Sequence, residues 1–344
     1  MEPTPVTHAW SIGPLPDLLE ARAGQKAVEA VFAEVGLPHA LLRDRRQCLP
    51  MPMLAQLYQK AAWRAGDPLF GHAVGAAMPP DDYGMWARYA AQAPTLREGI
   101  HRAIRTLPLH ETGTRMRLRC REGARVAWEY WHPQIGTPLF RQHSDQLARV
   151  MIAFLQGFLG SDWMPTGVEF AYGAAQSAKD PEAYRQCVVT FDQPGVAIVL
   201  PRCALDTPNP QVNVQPHASA LLGYADVVAV TELEVVRSPL THVAAVISLR
   251  LLDGQYDIDG AARTLGLTSR TLQRRLEEHG LSYRALLSRM RMRRAKSMIL
   301  ETNSPLKDIC FELGYSDPAH FTRAFTRHFG FPPSRLRPTL NQGN

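Results

Sequence analysis

Two short clusters of arginine and polar residues near the end of the chain have the chemistry of nucleic-acid recognition. One reads SRTLQR at 269–274 and the other reads DPAHFTRAFTR at 317–327. Arginine can donate two hydrogen bonds to guanine, glutamine can pair with adenine, and arginine or lysine can neutralise phosphates. These residue types predict a surface that binds double-stranded DNA.

The spacing of apolar residues assigns both clusters to amphipathic helices. Phe321, Phe325 and Phe329 recur every four positions, which places them on one face of a helix over 317–329. The opposite face is basic and polar, and the carboxylate of Asp317 can cap free amides at the helix start. Leucines at matching positions predict a second such helix over 268–279. For either helix taken alone, the alternative interpretation is a solvated basic surface.

Each of these helices follows a shorter helix and a glycine turn, which is the order of a helix-turn-helix. The turn glycines Gly266 and Gly314 lie 48 positions apart, and Arg274 matches Arg323 at an offset of 49. Because apolar positions, glycines and arginines all match, the pattern predicts two copies of one supersecondary unit.

The segment between the two copies, 283–301, contains neither glycine nor proline and carries a cluster of basic residues. A continuous helix of this length spans roughly 25–30 Å. Successive major-groove faces on one side of B-DNA lie about 34 Å apart. A rigid connector of this size can therefore hold two recognition helices in adjacent major-groove segments.

The predicted DNA contacts lie on the outward faces of these helices. In the first unit they are Ser269, Arg270, Thr271, Gln273 and Arg274. In the second unit they are Asp317, Ala319, His320, Arg323 and Arg327. Arg294 and Lys296 of the connector, like Arg327, are expected to hold phosphates rather than read bases.

The net charge is unevenly distributed along the chain. From Arg237 onward there are 17 Lys and Arg against 9 Asp and Glu, which leaves 21 against 23 in the preceding residues. The excess of positive charge therefore belongs to the C-terminal third, as expected for a nucleic-acid-binding module joined to a neutral one. A basic segment that binds a membrane surface is the competing interpretation. The scattered arginines and the lack of a strongly apolar opposite face disfavour it.

Residues 239–340 resemble the DNA-binding domain of the AraC/XylS family of bacterial transcription regulators. The resemblance rests on LG at 265–266, LQR at 272–274, LGYSD at 313–317, HFTRAF at 320–325 and GFPPS at 330–334. It implies a regulator that binds promoter DNA, responds to an effector, and activates transcription by presenting a surface to RNA polymerase. Pro318 and Ala319 depart from the family pattern, because many members carry polar residues there.

The first 200 or so residues resemble, more weakly, the arabinose-binding-like N-terminal domain of some members of that family. The matching runs are GDPLFG at 66–71, PTLRE at 94–98, VEF at 168–170 and YR at 184–185, while YGA at 172–174 departs from the pattern. This resemblance implies a domain that senses an unknown small molecule and can form homodimers. The expected domains are 1–215 for sensing and dimerisation, 216–238 for a linker helix and joint, and 239–340 for DNA binding.

The pattern of residues predicts an α+β fold for this sensor domain and an all-α fold for the DNA-binding domain with its two helix-turn-helix units. Helices are expected over 15–35, 53–65, 69–77, 84–91, 96–106 and 140–159. A hairpin over 114–120 and 125–131, with strands over 167–172, 187–191 and 196–200, is expected to form a small antiparallel sheet. A further helix is expected within 217–234.

Aromatic residues of the sensor domain are the candidate walls of an effector pocket. They are Trp86, Tyr89, Trp128, Tyr130, Trp131, Phe170 and Tyr172. The alternative is that each of them simply packs in the core or on a sheet face. The histidines lack metal-ligand spacing, so the sequence predicts neither a metal site nor a cofactor.

The sequence offers no signal peptide, no membrane span and no catalytic motif, so we expect a cytoplasmic protein that is not an enzyme. The five cysteines form no CxxC pair and are expected to be reduced thiols. Two alternatives stay open at this point. One is a sensor or interaction protein without direct promoter binding. The other is a relative of Ada-type DNA-repair methyltransferases, which is disfavoured because PRCA at 201–204 lacks the histidine of the Pro-Cys-His loop.

Overall fold

The computed structural model of the protein describes residues 4–79, 83–176, 184, 187–210, 222–230 and 240–336. The chain forms two compact units, Met1–Arg237 and Ser238–Asn344. Most of the predicted linker helix and the joint near residue 237 lie outside the described residues. Within the expected range 217–234 the structure describes one helix, Tyr224–Val230.

The N-terminal unit is mainly helical, as predicted. Its helices are α1 (Leu15–Ala23), α2 (Gln25–Val35), α3 (Met51–Ala65), α4 (Phe70–Ala77), α5 (Met85–Ala91), α6 (Leu96–His110), α7 (Arg141–Leu159) and α8 (Tyr224–Val230). The single helix expected over 15–35 is wrong, because Gly24 breaks it with φ 81° and ψ 164°, a conformation that favours glycine. The end expected at residue 106 is also wrong. Helix α6 continues through Pro108, with Leu107 and Leu109 buried in its last turn.

The main sheet of this unit contains the strands β4 (Arg115–Arg121), β5 (Arg125–Trp131), β6 (Gly167–Glu169), β7 (Val188–Thr190) and β8 (Val196–Pro201). Their order is β4-β5-β8-β6-β7. The predicted hairpin is confirmed, because Arg115 pairs with Trp131 and Arg121 with Arg125 in the antiparallel ladder of β4 and β5. The sheet is antiparallel except that β6 and β7 pair in parallel.

A second sheet, of three short strands, has no counterpart in the sequence analysis. Its strands are β1 (Val6–His8), β2 (Cys48–Pro50) and β3 (Glu111–Thr112), in the order β2-β1-β3. Segments of two or three residues are too short to show a period of two, so only their distant partners reveal them.

The core of the N-terminal unit lies between α7 and one face of the main sheet. Alternate residues of a strand point to opposite faces. In β5, Val126, Trp128 and Tyr130 therefore enter the core, where the ring of Trp128 lies 5.4 Å from that of Phe154 in α7. The intervening residues of β5 belong to the opposite face of the sheet.

The C-terminal unit is all-α over its described residues, as predicted. Its helices are α9 (Thr241–Leu252), α10 (Ile258–Thr264), α11 (Ser269–Glu277), α12 (Tyr283–Glu301), α13 (Leu306–Glu312), α14 (Pro318–Phe329) and α15 (Pro333–Leu336). The connector α12 has the predicted bounds. Phe321 and Phe325 of α14 pack with Ile309 of α13 and Ile299 of α12 in one core cluster, which orients the second helix-turn-helix.

Candidate nucleic-acid interface

The first helix-turn-helix consists of α10, a turn at Gly266 and α11. Gly266 has φ 67°, and the Thr268 side chain caps α11 by accepting a hydrogen bond from the Thr271 amide at 3.2 Å. Only Leu272 and Leu276 of α11 are buried. The other residues of the helix are exposed or half-buried, so its basic face can meet a partner.

The predicted contacts of α11 fall into two groups. Ser269 and Thr271 use their hydroxyls locally, since Ser269 donates to Asp259 and the Thr271 Oγ1 lies 2.8 Å from that of Thr268. Arg274 forms only an exposed ion pair with Glu278, at 3.6 Å on the same helix. Among the described residues, Arg270 and Gln273 have no hydrogen-bond or ion-pair partner, and both are exposed.

The second helix-turn-helix repeats this arrangement with α13, Gly314 and α14. Gly314 has φ 75°, and the carboxylate of Asp317 accepts hydrogen bonds from the amides of Ala319 at 3.0 Å and His320 at 3.2 Å. The predicted contact Asp317 is therefore the N-terminal cap of α14. Its carboxylate holds the helix start, where the sequence analysis also expected a cap.

The exposed face of α14 brings together four of its predicted contacts: Ala319, His320, Arg323 and Arg327. No described residue pairs with Arg323 or Arg327. His328 adds no cation at neutral pH, because burial and the neighbouring Arg289 lower its pKa. The positive charge of the α14 face therefore comes from its two arginines.

The two basic residues of α12 that the sequence analysis assigned to phosphates have different environments. Lys296 is exposed. The Arg294 side chain is only 18% exposed, and its guanidinium pairs with Glu312 of α13 at 3.1 Å. Arg294 thus fastens the connector to the second helix-turn-helix.

A stack of three side chains, Tyr256, Arg291 and Tyr315, joins the two helix-turn-helix units. The Arg291 guanidinium of α12 lies 4.3 Å from the ring centroid of Tyr256 and 5.3 Å from that of Tyr315, which are cation–π distances. The Tyr256 hydroxyl donates to the main-chain carbonyl of Glu312 at 3.0 Å. Tyr256 precedes the first unit and Tyr315 belongs to the turn of the second, so the stack links the two units.

The glycine at the second turn is required by this stack as well as by its backbone conformation. A Cβ atom on Gly314 would lie 2.5 Å from the Tyr256 ring. Neither Tyr256 nor Arg291 was among the interface residues predicted from the sequence. Tyr256 lies in a loop without periodicity, and no local pattern links it to a turn more than fifty residues away.

We expect the Tyr256→Ala substitution to destabilise the C-terminal unit by about 1–2 kcal/mol, because it removes a cation–π contact and a hydrogen bond. Chemical denaturation followed by circular dichroism measures this loss. Tyr256→Phe is the matched control, since it keeps the ring and should lose only the hydrogen-bond contribution, about 0.5–1.5 kcal/mol. Equal stability of the unmodified protein and both variants would mean that the stack does not join the two helix-turn-helix units.

The predicted pocket residues of the N-terminal unit separate into four places. Trp86, Trp128 and Tyr130 line one cavity of about 40 Å³ on the core side of the sheet. Phe170 and Tyr172 stack on each other elsewhere in the core, with centroids 4.9 Å apart. The two remaining residues lie under arginines: Tyr89 under Arg102, and Trp131 under Arg115 on the other sheet face.

The cavity also contains a buried acid that the sequence analysis did not single out. The Glu111 carboxylate accepts hydrogen bonds from Tyr130 at 2.8 Å and Thr7 at 3.2 Å. Burial raises the pKa of Glu111 to about 7, despite these hydrogen bonds. The indole nitrogens of Trp86 and Trp128 are buried without a hydrogen-bond partner. The cavity therefore has largely apolar walls, two free indole donors and one carboxyl group.

Neither a metal site nor a membrane-spanning helix is found in the part of the chain that the structure describes. Those residues contain no group of three or more His, Cys, Asp or Glu able to hold a metal ion. Within the same residues, no helix combines the length and apolarity that a membrane crossing needs. Cys310 is buried, whereas Cys120 and Cys203 are exposed.

Each of the two units of the chain matches a known protein family. Residues 27–209 match the arabinose-binding domain of AraC transcription regulators, and residues 261–339 match a helix-turn-helix domain. The first match alone covers more than half of the chain.

Individual relatives are similar to parts of the chain. The ornithine utilization regulator of Pseudomonas aeruginosa is 28% identical over 180 residues, which is 52% of each protein. The transcriptional activator RhaS of an Enterobacter species is 34% identical to this chain over 77 residues. The match covers 22% of this chain and 28% of RhaS. RhaS of Escherichia coli is 32% identical to this chain over 80 residues. The match covers 23% of this chain and 29% of that protein. The chain thus spans about half of the first relative's length and less than a third of that of RhaS.

Two solved structures are also similar to the chain. The transcriptional regulator CdpR of Pseudomonas aeruginosa aligns over 91% of this chain and 96% of its own, with 20% identity and a TM-score of 0.40. The C-terminal domain of AraT from Geobacillus stearothermophilus aligns over 30% of this chain and 88% of its own, with 27% identity and a TM-score of 0.25.

Proposed function

Because the chain belongs to the AraC family of transcription regulators, we propose that it binds promoter DNA through both helix-turn-helix units and responds to a small molecule held by its N-terminal unit. The relatives named RhaS are transcriptional activators, which supports activation, through contact with RNA polymerase, as its mode of action. The proposed place of action is the cytoplasm.

The observation that carries the proposal is the pair of matching helices α11 and α14. Each buries only two apolar residues and leaves a face with cationic or polar side chains exposed. Arg323 and Arg327 on α14 and Arg270 on α11 have no acidic partner among the described residues. Cations without internal partners can exchange their water for phosphate and base-edge acceptors at low cost.

We divide the contacts into those that specify a sequence and those that position the protein. Arg274, Arg323 and Gln273 are the proposed base readers, since their side chains match guanine and adenine edges. Arg327 and Lys296 are the proposed phosphate contacts. The helix starts of α11 and α14 can add backbone amides. Arg294 leaves this set, because its guanidinium is already held by Glu312.

The N-terminal unit is the proposed sensor, and the cavity beside Glu111 is its proposed effector site. The indole donors of Trp86 and Trp128 and the Glu111 carboxyl favour a ligand with an apolar body and one or two hydrogen-bond acceptors. A volume of about 40 Å³ holds little more than water, so such a ligand has to displace lining side chains. Thermal-shift screening of metabolites against the full chain tests this site. Dimerisation through the same unit is part of the proposal.

DNA binding by the full chain should depend steeply on salt. Because each neutralised phosphate releases a counterion, the logarithm of affinity should fall with the logarithm of salt concentration by about 0.9 per contact. Gel-shift titrations with duplexes selected from a random pool measure this slope. Lys296→Ala should reduce the slope by about 1, whereas Arg88→Ala, an exposed arginine of α5, should leave it unchanged.

The salt experiment also separates the alternative functions. A sensor or interaction protein without promoter binding would enrich no duplex from the pool. A flat salt response would mean that the basic third of the chain does not bind DNA. We assign the protein no catalytic activity and no cofactor. Transfer of a methyl group from damaged DNA to Cys203, detected by mass spectrometry, would support the repair alternative instead.

A further inference from the structure

The outer face of the main sheet, opposite the core, carries a stripe of arginines. Along β4 the residues alternate, and every second one is an arginine: Arg115, Arg117, Arg119 and Arg121. Because side chains alternate across a strand, these four share one face. Arg121 lies opposite Arg125 of β5 in the ladder, which adds a fifth arginine beside the stripe.

The same face contains a groove of about 630 Å³. Its lining includes Gly167 and Val199 of the central strands, and Ala127 and Ala197, which cluster with Val199, are buried. Arg119 and Arg125 belong to β4 and β5 at one side of the sheet, and Thr190 belongs to β7 at the other edge. The lining contains three arginines, Arg119, Arg121 and Arg125, against two glutamates, Glu122 and Glu169, so its net charge is positive.

Two of the arginines that line the groove are available to a ligand. Arg121 is held by Glu129 at 3.1 Å and Glu169 at 2.7 Å. Arg119 has no hydrogen-bond or ion-pair partner among the described residues and is exposed. Arg125 donates only to the main-chain carbonyl of Glu122, at 3.0 Å. Because Arg119 lies opposite Ala127 in the ladder, Arg119 and Arg125 are diagonal neighbours on this face.

We propose that this groove binds a small polyanion with at least two carboxylate or phosphate groups. Two guanidinium groups without an acidic partner among the described residues, on neighbouring strands about 7–8 Å apart at the backbone, suit two anionic groups of one molecule. The N-terminal residues before Arg237 contain slightly more acidic than basic residues, 23 against 21, so the stripe is a local feature rather than a general charge. The site lies on the opposite face of the sheet from the Glu111 cavity and does not depend on the DNA-binding proposal.

Calorimetric titration of the full chain with pyrophosphate and with citrate, at physiological salt, tests the groove. Arg119→Ser combined with Arg125→Ser should reduce affinity at least about tenfold, since charge-assisted hydrogen bonds are lost. The matched control is Arg270→Ser combined with Arg274→Ser in the C-terminal unit, which should leave this binding unchanged. The two probes show whether phosphate or carboxylate groups are preferred.

The outcomes separate this site from the DNA-binding surface. The groove variant should retain its melting temperature and its affinity for selected duplexes, because Arg119 is exposed and lies outside the C-terminal unit. Polyanion binding that survives the groove variant, or that disappears in the Arg270/Arg274 variant, would overturn the proposal. Failure of both probes to bind the unmodified protein would overturn it as well.

Discussion

Replacing Arg323 with alanine should reduce the preference for a selected duplex over random DNA by about 1–3 kcal/mol. The reason is the position of the guanidinium: it stands on the exposed face of α14, opposite the buried Phe321 and Phe325, and no described residue pairs with it. The substitution removes a bidentate contact with guanine. It leaves no described residue of the protein without its hydrogen-bond partner, because none pairs with Arg323. Competitive gel shifts with selected and scrambled duplexes measure the difference.

Arg327→Ala is the matched comparison for this experiment. It removes an arginine that lies one helical turn further along the same exposed face. This arginine is one of the proposed phosphate contacts. Its loss should weaken binding to selected and random duplexes by similar factors. If Arg323→Ala also weakened both duplexes equally, Arg323 would be a phosphate contact and not a base reader.

The Glu111→Gln substitution should remove a pH dependence of folding stability worth about 3–4 kcal/mol. The folded protein holds the Glu111 proton up to a pKa of about 7, whereas the unfolded chain releases it near the ordinary value of 4.5. Ionisation therefore favours the unfolded chain as pH rises from 4.5 through 7, and the penalty is constant above that range. Each pH unit within this window corresponds to about 1.4 kcal/mol.

Urea unfolding of both proteins at several pH values between 5 and 8 provides the measurement. Relative to Glu111→Gln, the unmodified protein should lose stability across this range. Burial lowers the pKa of His110 in both proteins, so the difference between their pH profiles reports Glu111. Parallel pH profiles would show that the carboxyl is not buried as described. A ligand that accepts a hydrogen bond from the protonated carboxyl should shift the profile of the unmodified protein to higher pH.

The stack of Tyr256, Arg291 and Tyr315 bears on how the two recognition helices meet DNA. The connector α12 alone sets a distance, but a single helix leaves the rotation of each unit about its own axis open. Contacts from Tyr256 to Glu312 and from Arg294 to Glu312 remove part of that freedom. We therefore expect the units to present their faces in one arrangement before DNA is bound.

Several features of this protein were determined by the sequence itself. The phenylalanines of α14, the glycine turns, the cap at Asp317 and the bounds of α12 are set by residues three or four positions apart. The hairpin of β4 and β5 is set by strict alternation. Such short-range patterns are visible in a sequence, because the same spacing that buries one face of an element also defines the element.

Only the tertiary structure decided the rest. It paired Arg294 with Glu312, joined β6 to β7 in parallel, and assembled the three-stranded sheet around β1. It also divided the predicted pocket aromatics among separate places and brought Glu111 beside Trp128. These arrangements depend on which segments, distant in sequence, pack together. A contact between two such segments produces no periodic pattern in the sequence of either one.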